Sequence, residues 1–275
     1  MKIGIVGLGL IGGSFAKAIS EYTTNEVYGF DTNGDSYTEA LETKAIVGRL
    51  DEQTIPLCDI VIISIYPCAC VEFVKRHLGL FKEGSIVVDC CGIKKYVCEN
   101  LFELEDIQFT YVGGHPMAGT QQWGFAHSRS TLFKGGSMIL TPKDGTDIGV
   151  LATLKELFDA LEFSDVVICS PDEHDRRIAF TSQLPHIISN AYVKSPRAVE
   201  HRGFSAGSYR DLSRVSKLNV PLWTELFLEN AENLASEIDL LVENLQKYSK
   251  AIHKNDKEAL FALLEEGHNS KKIAK

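Results

Sequence analysis

The chain opens on a pattern that leaves few alternatives for its N-terminal fold. A short apolar segment, Ile3–Val6, runs directly into Gly7-Leu8-Gly9-Leu10-Ile11-Gly12, and helical spacing follows over Ile11–Glu21. A strand, a glycine-rich turn and a helix in this order cradle a dinucleotide pyrophosphate in doubly wound α/β folds. The three glycines allow, in order, the tight turn, the approach of the backbone to the pyrophosphate, and close packing of the helix on the strand. The sequence therefore predicts a nucleotide-binding domain at its start.

An acidic residue follows at the place where such a domain selects its nucleotide. Asp31 ends the second predicted strand, Glu26–Asp31, and the next residues, Thr32-Asn33-Gly34, include no arginine. A carboxylate at this point accepts hydrogen bonds from the adenosine ribose and repels a 2′-phosphate. The pattern favours NAD over NADP as the cofactor. The alternative is that Asp31 only caps a turn.

Strand-like and helical segments alternate through the first 170 residues. β-branched runs of the kind found in sheets buried on both faces recur here, with helical spacing between them. We predict strands at Ile3–Val6, Glu26–Asp31, Asp59–Ile65, Ser85–Asp89, Gln108–Val112, Met138–Leu140 and Asp165–Cys169, and helices at Ile11–Glu21, Val71–Leu80 and Val150–Leu161. This alternation predicts an α/β fold over residues 1–170, with a Rossmann-type, doubly wound and mostly parallel sheet.

Strand-like segments nearly vanish after residue 170, so we expect an all-α domain over residues 171–275. Its first predicted helix spans Asp172–Val193. Pro185 removes one backbone donor from that helix and should kink it near Thr181. The chain is thus expected to divide into a nucleotide-binding part and a helical part.

The helical part also carries the pattern of a very long helix. Pro221 is placed for its first turn, and apolar positions continue at helical spacing to about Ala251. A shorter helix is predicted over Lys257–Glu266, with Asp256 as its N-terminal cap. So long a helix has more apolar surface than its own small domain covers. We therefore expect a homodimer through the C-terminal helices. The alternative is a helix that lies along the sheet domain.

The charge balance limits the partners to be expected. There are 28 Lys and Arg against 37 Asp and Glu, and the resulting net charge of −9 argues against general nucleic-acid affinity. No segment approaches the roughly 20 apolar residues that span a bilayer, and the chain begins with a predicted core strand. We expect a cytoplasmic enzyme with a small-molecule substrate and no nucleic-acid or membrane partner.

The seven cysteines are an odd number, and several lie in or beside apolar runs, where cysteine behaves as a small hydrophobic residue. Cys68-Ala69-Cys70 and Cys90-Cys91 are candidate metal ligands. No second cysteine pair or nearby histidine completes a tetrahedral zinc set around them. We expect structural thiols, no metal and no disulfide framework.

A histidine lies in a glycine-rich segment farther along the chain. Gly113-Gly114-His115-Pro116-Met117-Ala118-Gly119-Thr120 comes directly after the predicted strand Gln108–Val112. Ligands of open α/β sheets bind outside the carboxyl ends of the strands, so we expect His115 at that edge, in a loop. A neutral imidazole near pH 7 is a suitable general base. The alternative is a histidine with a structural role only.

With these elements, the sequence resembles the prephenate and arogenate dehydrogenases of tyrosine biosynthesis, and prephenate dehydrogenases most of all. Beyond the glycine loop and the segment around His115, the resemblance rests on motifs in the helical part. These are His174-Asp175, Leu184-Pro185-His186, Tyr209-Arg210-Asp211-Leu212-Ser213-Arg214, Pro221-Leu222-Trp223 and Phe227-Leu228-Glu229-Asn230.

The resemblance implies an NAD-linked oxidative decarboxylation of a cyclohexadienol, in which the ring becomes aromatic. It gives His115 the role of catalytic base on the ring hydroxyl, and makes His186 and Arg214 the binders of a substrate carboxylate. Thr120 and Gln121 are expected to contact the substrate as well. Three alternatives stay open: an arogenate dehydrogenase, a related two-domain reductase acting on another small acid, or a non-catalytic NAD-binding regulator on the same fold.

Three residues differ from the pattern of the family. Gly92 stands where the family usually has a serine that assists the catalytic histidine, and Gln183 stands where many relatives have a histidine. Gln121 occupies a position that is often acidic. Because the ammonium group of arogenate would favour a nearby carboxylate, the neutral Gln121 favours prephenate as the substrate.

Overall fold

The computed structural model describes residues 1–273, so the last two residues of the expected helical domain, 274 and 275, lie outside the described residues. Eight strands form a sheet in the order β3-β2-β1-β4-β5-β6-β7-β8. They are β1 (Lys2–Val6), β2 (Glu26–Phe30), β3 (Gly48–Arg49), β4 (Ile60–Ile63), β5 (Ile86–Asp89), β6 (Thr110–Pro116), β7 (Ser137–Pro142) and β8 (Asp165–Ile168). Every neighbouring pair is parallel except β6 and β7. The predicted mostly parallel sheet is confirmed.

The helices divide into those between the strands and those that follow the sheet. The first group is α1 (Leu10–Tyr22), α2 (Gly34–Glu42), α3 (Pro67–Arg76), α4 (Lys95–Phe102) and α5 (Ile148–Ala160). The second group is α6 (Pro171–Ile178), α7 (Leu184–Tyr192), α8 (Gly207–Ser213), α9 (Val220–Leu228), α10 (Ala231–His253) and α11 (Lys257–Ile273). The predicted change from α/β to all-α is confirmed. Across residues 1–273, no helix has both the length and the apolar character needed to cross a membrane.

Two apolar clusters cover the two faces of the sheet, because successive side chains of a strand point to opposite faces. Ile5 of β1 packs in one cluster with Phe15 of α1, and Val6 packs in the other with Val74 of α3. Leu226 of α9 belongs to the second cluster. The helical part therefore packs into the core of the sheet domain and does not hang from it by a linker.

The seven cysteines are free thiols, and four of them, Cys58, Cys70, Cys91 and Cys98, are buried in the second cluster. Burial raises the pKa of both Cys58 and Cys98 to about 12, so these thiols are protonated and unreactive at neutral pH. Among the described residues, no group of three or more His, Cys, Asp or Glu is placed to hold a metal ion. This burial supports a structural role for the cysteines.

The prediction that His115 lies in a loop is wrong. β6 continues to Pro116, and His115 lies inside it, paired with Ile139 of β7. The parallel neighbour β5 pairs only as far as Val112, whereas the antiparallel β7 pairs from Val112 to Pro116. β7 therefore extends the strand beyond the edge where β5 ends. As a result, His115 is held by strand pairing at the edge where a ligand would bind.

The segment predicted as one kinked helix, Asp172–Val193, contains two α-helices joined by a π-helical turn at Ala179–Gln183. Pro185 lies in the first turn of α7, where its missing N–H leaves no helical partner unsatisfied. A π-helical turn is a known way to accommodate such an interruption. The predicted break near Thr181 is confirmed, and the single α-helix is corrected.

The predicted long helix from Pro221 to about Ala251 is also two helices, α9 and α10. Asn230 leaves the helical conformation, with φ −124° and ψ 31°, and its Nδ2 donates to the carbonyl oxygen of Asp175 at 2.9 Å and to Oε1 of Gln183 at 2.8 Å. These buried hydrogen bonds compensate for the interruption. The last helix, α11, begins after Asp256 as predicted, with Asp256 Oδ1 accepting from the Ala259 amide, but it extends past Glu266 to Ile273.

Candidate active site

The glycine loop between β1 and α1 has the geometry of a pyrophosphate cradle. Gly7 has φ +86°, and a Cβ atom there would lie 2.5 Å from the Ser64 carbonyl oxygen; one at Gly12 would lie 1.8 Å from the Gly7 oxygen. Only glycine fits these two positions. At Gly9, by contrast, a Cβ would meet no atom within 4 Å. Since the first amides of α1 have no helical partner, this open space is a suitable place for phosphate oxygens.

Asp31 follows β2 and ties that strand to the glycine loop. Its Oδ2 accepts from the Leu8 amide at 2.6 Å, and its Oδ1 accepts from the Asn33 amide at 2.7 Å. The carboxylate does cap a turn, as in the alternative drawn from the sequence. Each oxygen keeps a further lone pair, which leaves capacity for the hydroxyls of a ribose. Turn capping and ribose binding are therefore compatible roles for this side chain.

A Gly9→Ala substitution should separate cofactor binding from folding. Gly9 has an extended backbone that alanine adopts, and the space beside it is open, so we expect an unchanged melting temperature. The added methyl would occupy space that the pyrophosphate needs, and we expect the Kd for NAD to rise about tenfold or more. Fluorescence titration with NAD measures this. Gly79→Ala, at another open position in a 3₁₀ turn, is the matched control and should bind NAD normally. Equal affinity in the two variants would contradict the cradle.

His115 is hydrogen-bonded to a second histidine that is bonded in turn to a carboxylate. Nδ1 of His115 lies 2.8 Å from Nε2 of His174, and Nδ1 of His174 lies 2.6 Å from Oδ1 of Asp175. His174 and Asp175 are both buried, in α6. The pair is one of the family motifs in the sequence, but no role was predicted for it. The available signal was the adjacency of the two residues in that motif.

The other nitrogen of His115, Nε2, faces Gly92. It lies 4.0 Å from the position that a Cβ of Gly92 would take, and the Leu226 methyl groups lie 3.4 Å from the same point. Burial, reinforced by the nearby His174 and Lys94, holds the pKa of His115 well below its usual range. The imidazole is therefore neutral at pH 7, as a general base must be. The absence of a side chain at Gly92 leaves Nε2 free of a neighbouring hydroxyl.

A buried ion pair holds the peptide that precedes His115. Lys94 and Asp89 have fully buried side chains and contact each other through Nζ and Oδ1. Lys94 Nζ also donates to the Gly114 carbonyl oxygen at 2.5 Å, while Asp89 Oδ2 accepts from the Gly114 amide at 3.2 Å and from the Tyr111 hydroxyl at 2.5 Å. The ion pair thus fixes β6 through both the amide and the carbonyl group of Gly114. From the sequence, Asp89 was predicted only as the last residue of a strand, and Lys94 had no predicted role.

His186 and Arg214, the expected carboxylate binders, lie on the helical side of the site. The His186 ring packs on Trp223 with centroids 4.0 Å apart, and its Nδ1 hydrogen-bonds the Ser182 carbonyl oxygen at 2.7 Å. Arg214 follows α8 and is exposed. Burial lowers the pKa of His186, its hydrogen bond with the Ser182 carbonyl oxygen opposes this, and the charge of Arg214 lowers it further. A guanidinium beside a neutral imidazole is a suitable site for a carboxylate.

Thr120 and Gln121, the two expected substrate contacts on the sheet side, have different neighbours. The Gln121 side-chain amide donates to the backbone carbonyl of Arg214 and so joins the segment after β6 to the end of α8. The Thr120 hydroxyl donates to the Gln122 carbonyl oxygen at 3.3 Å and accepts from its amide at 3.2 Å, within a local turn. Gln121 therefore lies beside the Arg214 backbone, and Thr120 shapes the turn next to it.

A nucleotide cradle and a neutral histidine at the same edge of one sheet, followed by a helical domain that brings Arg214 to the site, define a two-domain dinucleotide-dependent dehydrogenase. The family model described as the prephenate dehydrogenase nucleotide-binding domain matches residues 15–169. The model described as the prephenate dehydrogenase dimerisation domain matches residues 170–266. The chain belongs to the prephenate dehydrogenase family.

Named relatives and solved structures agree with this assignment. Prephenate dehydrogenase of Bacillus subtilis is 28% identical over 94% of this chain and 71% of its own length. Cyclohexadienyl dehydrogenase of Zymomonas mobilis is 28% identical over 98% of this chain and 94% of its own length. A crystal structure of prephenate dehydrogenase from Aquifex aeolicus, in complex with hydroxyphenyl propionate and NAD⁺, has a TM-score of 0.87 and 28% identity, and covers 100% of this chain and 98% of that one.

Proposed function

We propose that this chain is an NAD-dependent prephenate dehydrogenase that forms 4-hydroxyphenylpyruvate and carbon dioxide, in the biosynthesis of tyrosine. The observation that carries the proposal is the placement of His115, whose Nδ1 is hydrogen-bonded to His174 and whose Nε2 faces Gly92, at the edge of the sheet that also holds the nucleotide cradle. The Aquifex relative, with hydroxyphenyl propionate and NAD⁺ bound, supports both the cofactor and a hydroxyphenyl ligand bearing a carboxylate.

The residues at the cradle fit NAD. Gly7, Leu8, Gly9, Leu10, Ile11 and Gly12 would hold the pyrophosphate, because Gly9 leaves open space beside the unpaired amides of α1. Asp31 would hold the adenosine ribose with its remaining lone pairs. When bound, NAD supplies the acceptor for the hydride that leaves the ring carbinol carbon.

During this reaction His115 accepts one proton from the substrate and later returns it to the product. Its Nε2 takes the proton of the ring hydroxyl, since Nδ1 is hydrogen-bonded to His174. The carbinol then becomes a ring carbonyl. The bond from the ring to the carboxylate carbon breaks, carbon dioxide leaves, and the bonding electron pair makes the ring aromatic with a phenolate oxygen. His115 returns its proton to that oxygen, so the histidine ends neutral and the overall reaction releases no net proton.

His186 and Arg214 would hold a substrate carboxylate on the helical side of the cleft. We expect Arg214→Gln to raise the KM for prephenate about 10- to 100-fold, because hydrogen bonds to charged groups contribute about 1.5–3 kcal/mol. The effect on kcat should be smaller, since Arg214 is not proposed to contact the ring hydroxyl. Arg197→Gln, at an exposed arginine in a 3₁₀ turn, is the matched control and should leave KM unchanged. A KM that shifts equally in both variants would remove Arg214 from the substrate site.

The neutral Gln121 favours prephenate over arogenate. Its side-chain amide donates to the Arg214 backbone carbonyl. This amide is uncharged, whereas the carboxylate that many relatives have at this position would attract the ammonium of arogenate. Arogenate dehydrogenase activity is the alternative. Initial rates of NADH or NADPH formation with prephenate and with arogenate test the proposal. We expect the highest kcat/KM with prephenate and NAD. A higher value with arogenate would assign the alternative, and no turnover with either substrate would overturn both.

We propose that residues 1–170 form the NAD-binding unit and residues 171–275 the helical unit that binds substrate and forms a homodimer. The dimer interface is proposed on α10 and α11, where exposed apolar side chains recur at helical spacing; these include Leu240, Val242, Leu245, Ile252, Phe261 and Leu264. A match to the family's dimerisation domain supports this. A cytoplasmic location stays a prediction from the sequence.

Leu245→Glu tests the dimer interface. Leu245 is an exposed leucine on α10, and a carboxylate there would be buried without a partner in the proposed interface. We expect the variant to sediment as a monomer at micromolar concentrations, where the wild-type chain sediments as a dimer. Gln246→Glu introduces the same charge at the neighbouring exposed position, about 100° around the helix, and should stay dimeric. Dimers of equal stability in both variants would place the interface elsewhere.

A further inference from the structure

The Asp175 carboxylate is held by backbone amides at the start of α4. Its Oδ1 accepts from the Lys94 amide at 2.7 Å, and its Oδ2 accepts from the Lys95 amide at 2.9 Å. These amides lie at the N-terminus of α4, where unpaired N–H groups and the helix dipole favour an anion. Asp175 itself belongs to α6 of the helical part. The contact therefore fixes an ionised carboxylate across the boundary between the two parts of the chain.

The helical side holds the same residue by its backbone. The Asp175 carbonyl oxygen accepts from Nδ2 of Asn230 at 2.9 Å, and that amide also donates to Gln183 Oε1 at 2.8 Å. Gln183 donates in turn to the Leu226 carbonyl oxygen at 3.0 Å. Asn230 and Gln183 are buried. Asp175 is thus fixed from both sides, and its carboxylate has little freedom to turn away from His174.

The hydrogen bonds of Asp175 determine which nitrogen of each histidine carries a proton. An ionised carboxylate only accepts, so His174 donates from Nδ1 and its Nε2 becomes an acceptor. The group 2.8 Å from that acceptor is Nδ1 of His115, which must therefore donate. His115 then has its proton on Nδ1 and a lone pair on Nε2. Among the described residues, His174 is the one hydrogen-bond partner of the His115 ring.

We infer that Asp175 and His174 are positioning residues that set the tautomer of His115 and so make its Nε2 the proton acceptor. Gly92 provides no hydroxyl beside that nitrogen, so the ring is oriented by the hydrogen bond between His115 Nδ1 and His174. The catalytic part of this inference rests on the proposed function of His115. The tautomer itself is a property of the free protein and is measurable without substrate.

Nitrogen-15 NMR of the histidine rings at pH 7.5 tests the tautomer in the wild-type chain. The His115 signals are identified by their loss in a His115→Asn variant. We expect a protonated Nδ1 and an unprotonated Nε2. A protonated Nε2 in the wild-type chain would overturn the inference, whatever any variant does. Because no substrate is present, this outcome is independent of whether prephenate is turned over.

His174→Phe tests the effect of the pair on turnover, since it keeps a ring of similar volume and removes the acceptor for His115 Nδ1. We expect His115 to shift toward the Nε2-protonated form and kcat to fall about 10²-fold or more, with the Kd for NAD unchanged. Asp175→Asn should shift the His115 tautomer and lower kcat, both by less than His174→Phe does. An unchanged tautomer in His174→Phe, or a reversed tautomer with unchanged kcat, would overturn the positioning role.

Asp172→Asn is the matched control. Asp172 lies one turn earlier in α6 and its exposed carboxylate pairs with the side chain of Lys95 at 2.9 Å, whereas Asp175 accepts from the Lys95 backbone. The control variant removes the same charge from the same helix without touching His174. We expect its NMR spectrum and kcat to match the wild type. Equal effects of Asp172→Asn and Asp175→Asn would show a general charge effect and contradict the inference.

Discussion

A His115→Asn variant should bind NAD normally and lose nearly all turnover. The expected loss in kcat is about 10²- to 10⁴-fold, which is the usual contribution of a positioned general base. Asparagine places a polar group of smaller size in β6 and cannot take the hydroxyl proton. The pairing of β6 with β7 does not depend on the side chain, so the fold should persist. Single-turnover formation of NADH, with a separate NAD titration, measures the two effects independently.

His127→Asn is the control for this prediction. His127 is exposed, lies in a 3₁₀ turn of the same part of the chain, and should give wild-type turnover when replaced. A His115→Asn variant with full activity would remove His115 from the mechanism. A variant that loses NAD binding together with turnover would show that the histidine serves the cofactor site.

Lys94→Met should cause a large loss of stability. The Lys94 and Asp89 side chains are fully buried, and removal of the ammonium leaves Asp89 as an uncompensated charge. Breaking such a pair from one side typically costs about 3–5 kcal/mol of unfolding free energy. Methionine keeps most of the lysine stem, so the loss reports the charge more than a cavity. Denaturant unfolding followed by circular dichroism measures the difference.

Lys82→Met provides the matched comparison at a surface pair. Lys82 Nζ lies 2.5 Å from Asp59 Oδ1, but both side chains are partly exposed, and such pairs contribute about 0–1 kcal/mol. The double variant Asp89→Asn with Lys94→Met should regain part of the lost stability, because no buried charge is then left alone. A Lys94→Met variant as stable as Lys82→Met would show that the buried pair is not needed.

The nucleotide-binding fold was predictable because its signals are local. The strand, glycine loop and helix at Ile3–Glu21 follow from local requirements, since Gly7 has a φ of +86° and a Cβ at Gly12 would meet the Gly7 oxygen. The buried β-branched strands follow from their composition. The position of His115 was not predictable in the same way. Its strand ends where the antiparallel β7 begins, and that pairing joins residues far apart in the sequence.

The helical part shows the same limit. The apolar spacing predicted one helix through Asn230, but the side chain of Asn230 bonds Asp175 and Gln183, which periodicity does not reveal. The positioning groups of the site were missed for the same reason. Contacts between different elements of the fold form both the ion pair of Lys94 with Asp89 and the hydrogen bond of His174 with His115. The family motifs included His115 and His174 but did not say what these residues contact, and they did not include Lys94 or Asp89.

The proposed reaction requires oxidation and decarboxylation to occur together at one site. Incubation of the purified wild-type chain with NAD and prephenate labelled in its ring carboxylate measures both products. We expect NADH and labelled carbon dioxide in equal amounts, with 4-hydroxyphenylpyruvate as the third product. No NADH above the His115→Asn background, or NADH without carbon dioxide, would contradict the assignment of this chain as a prephenate dehydrogenase.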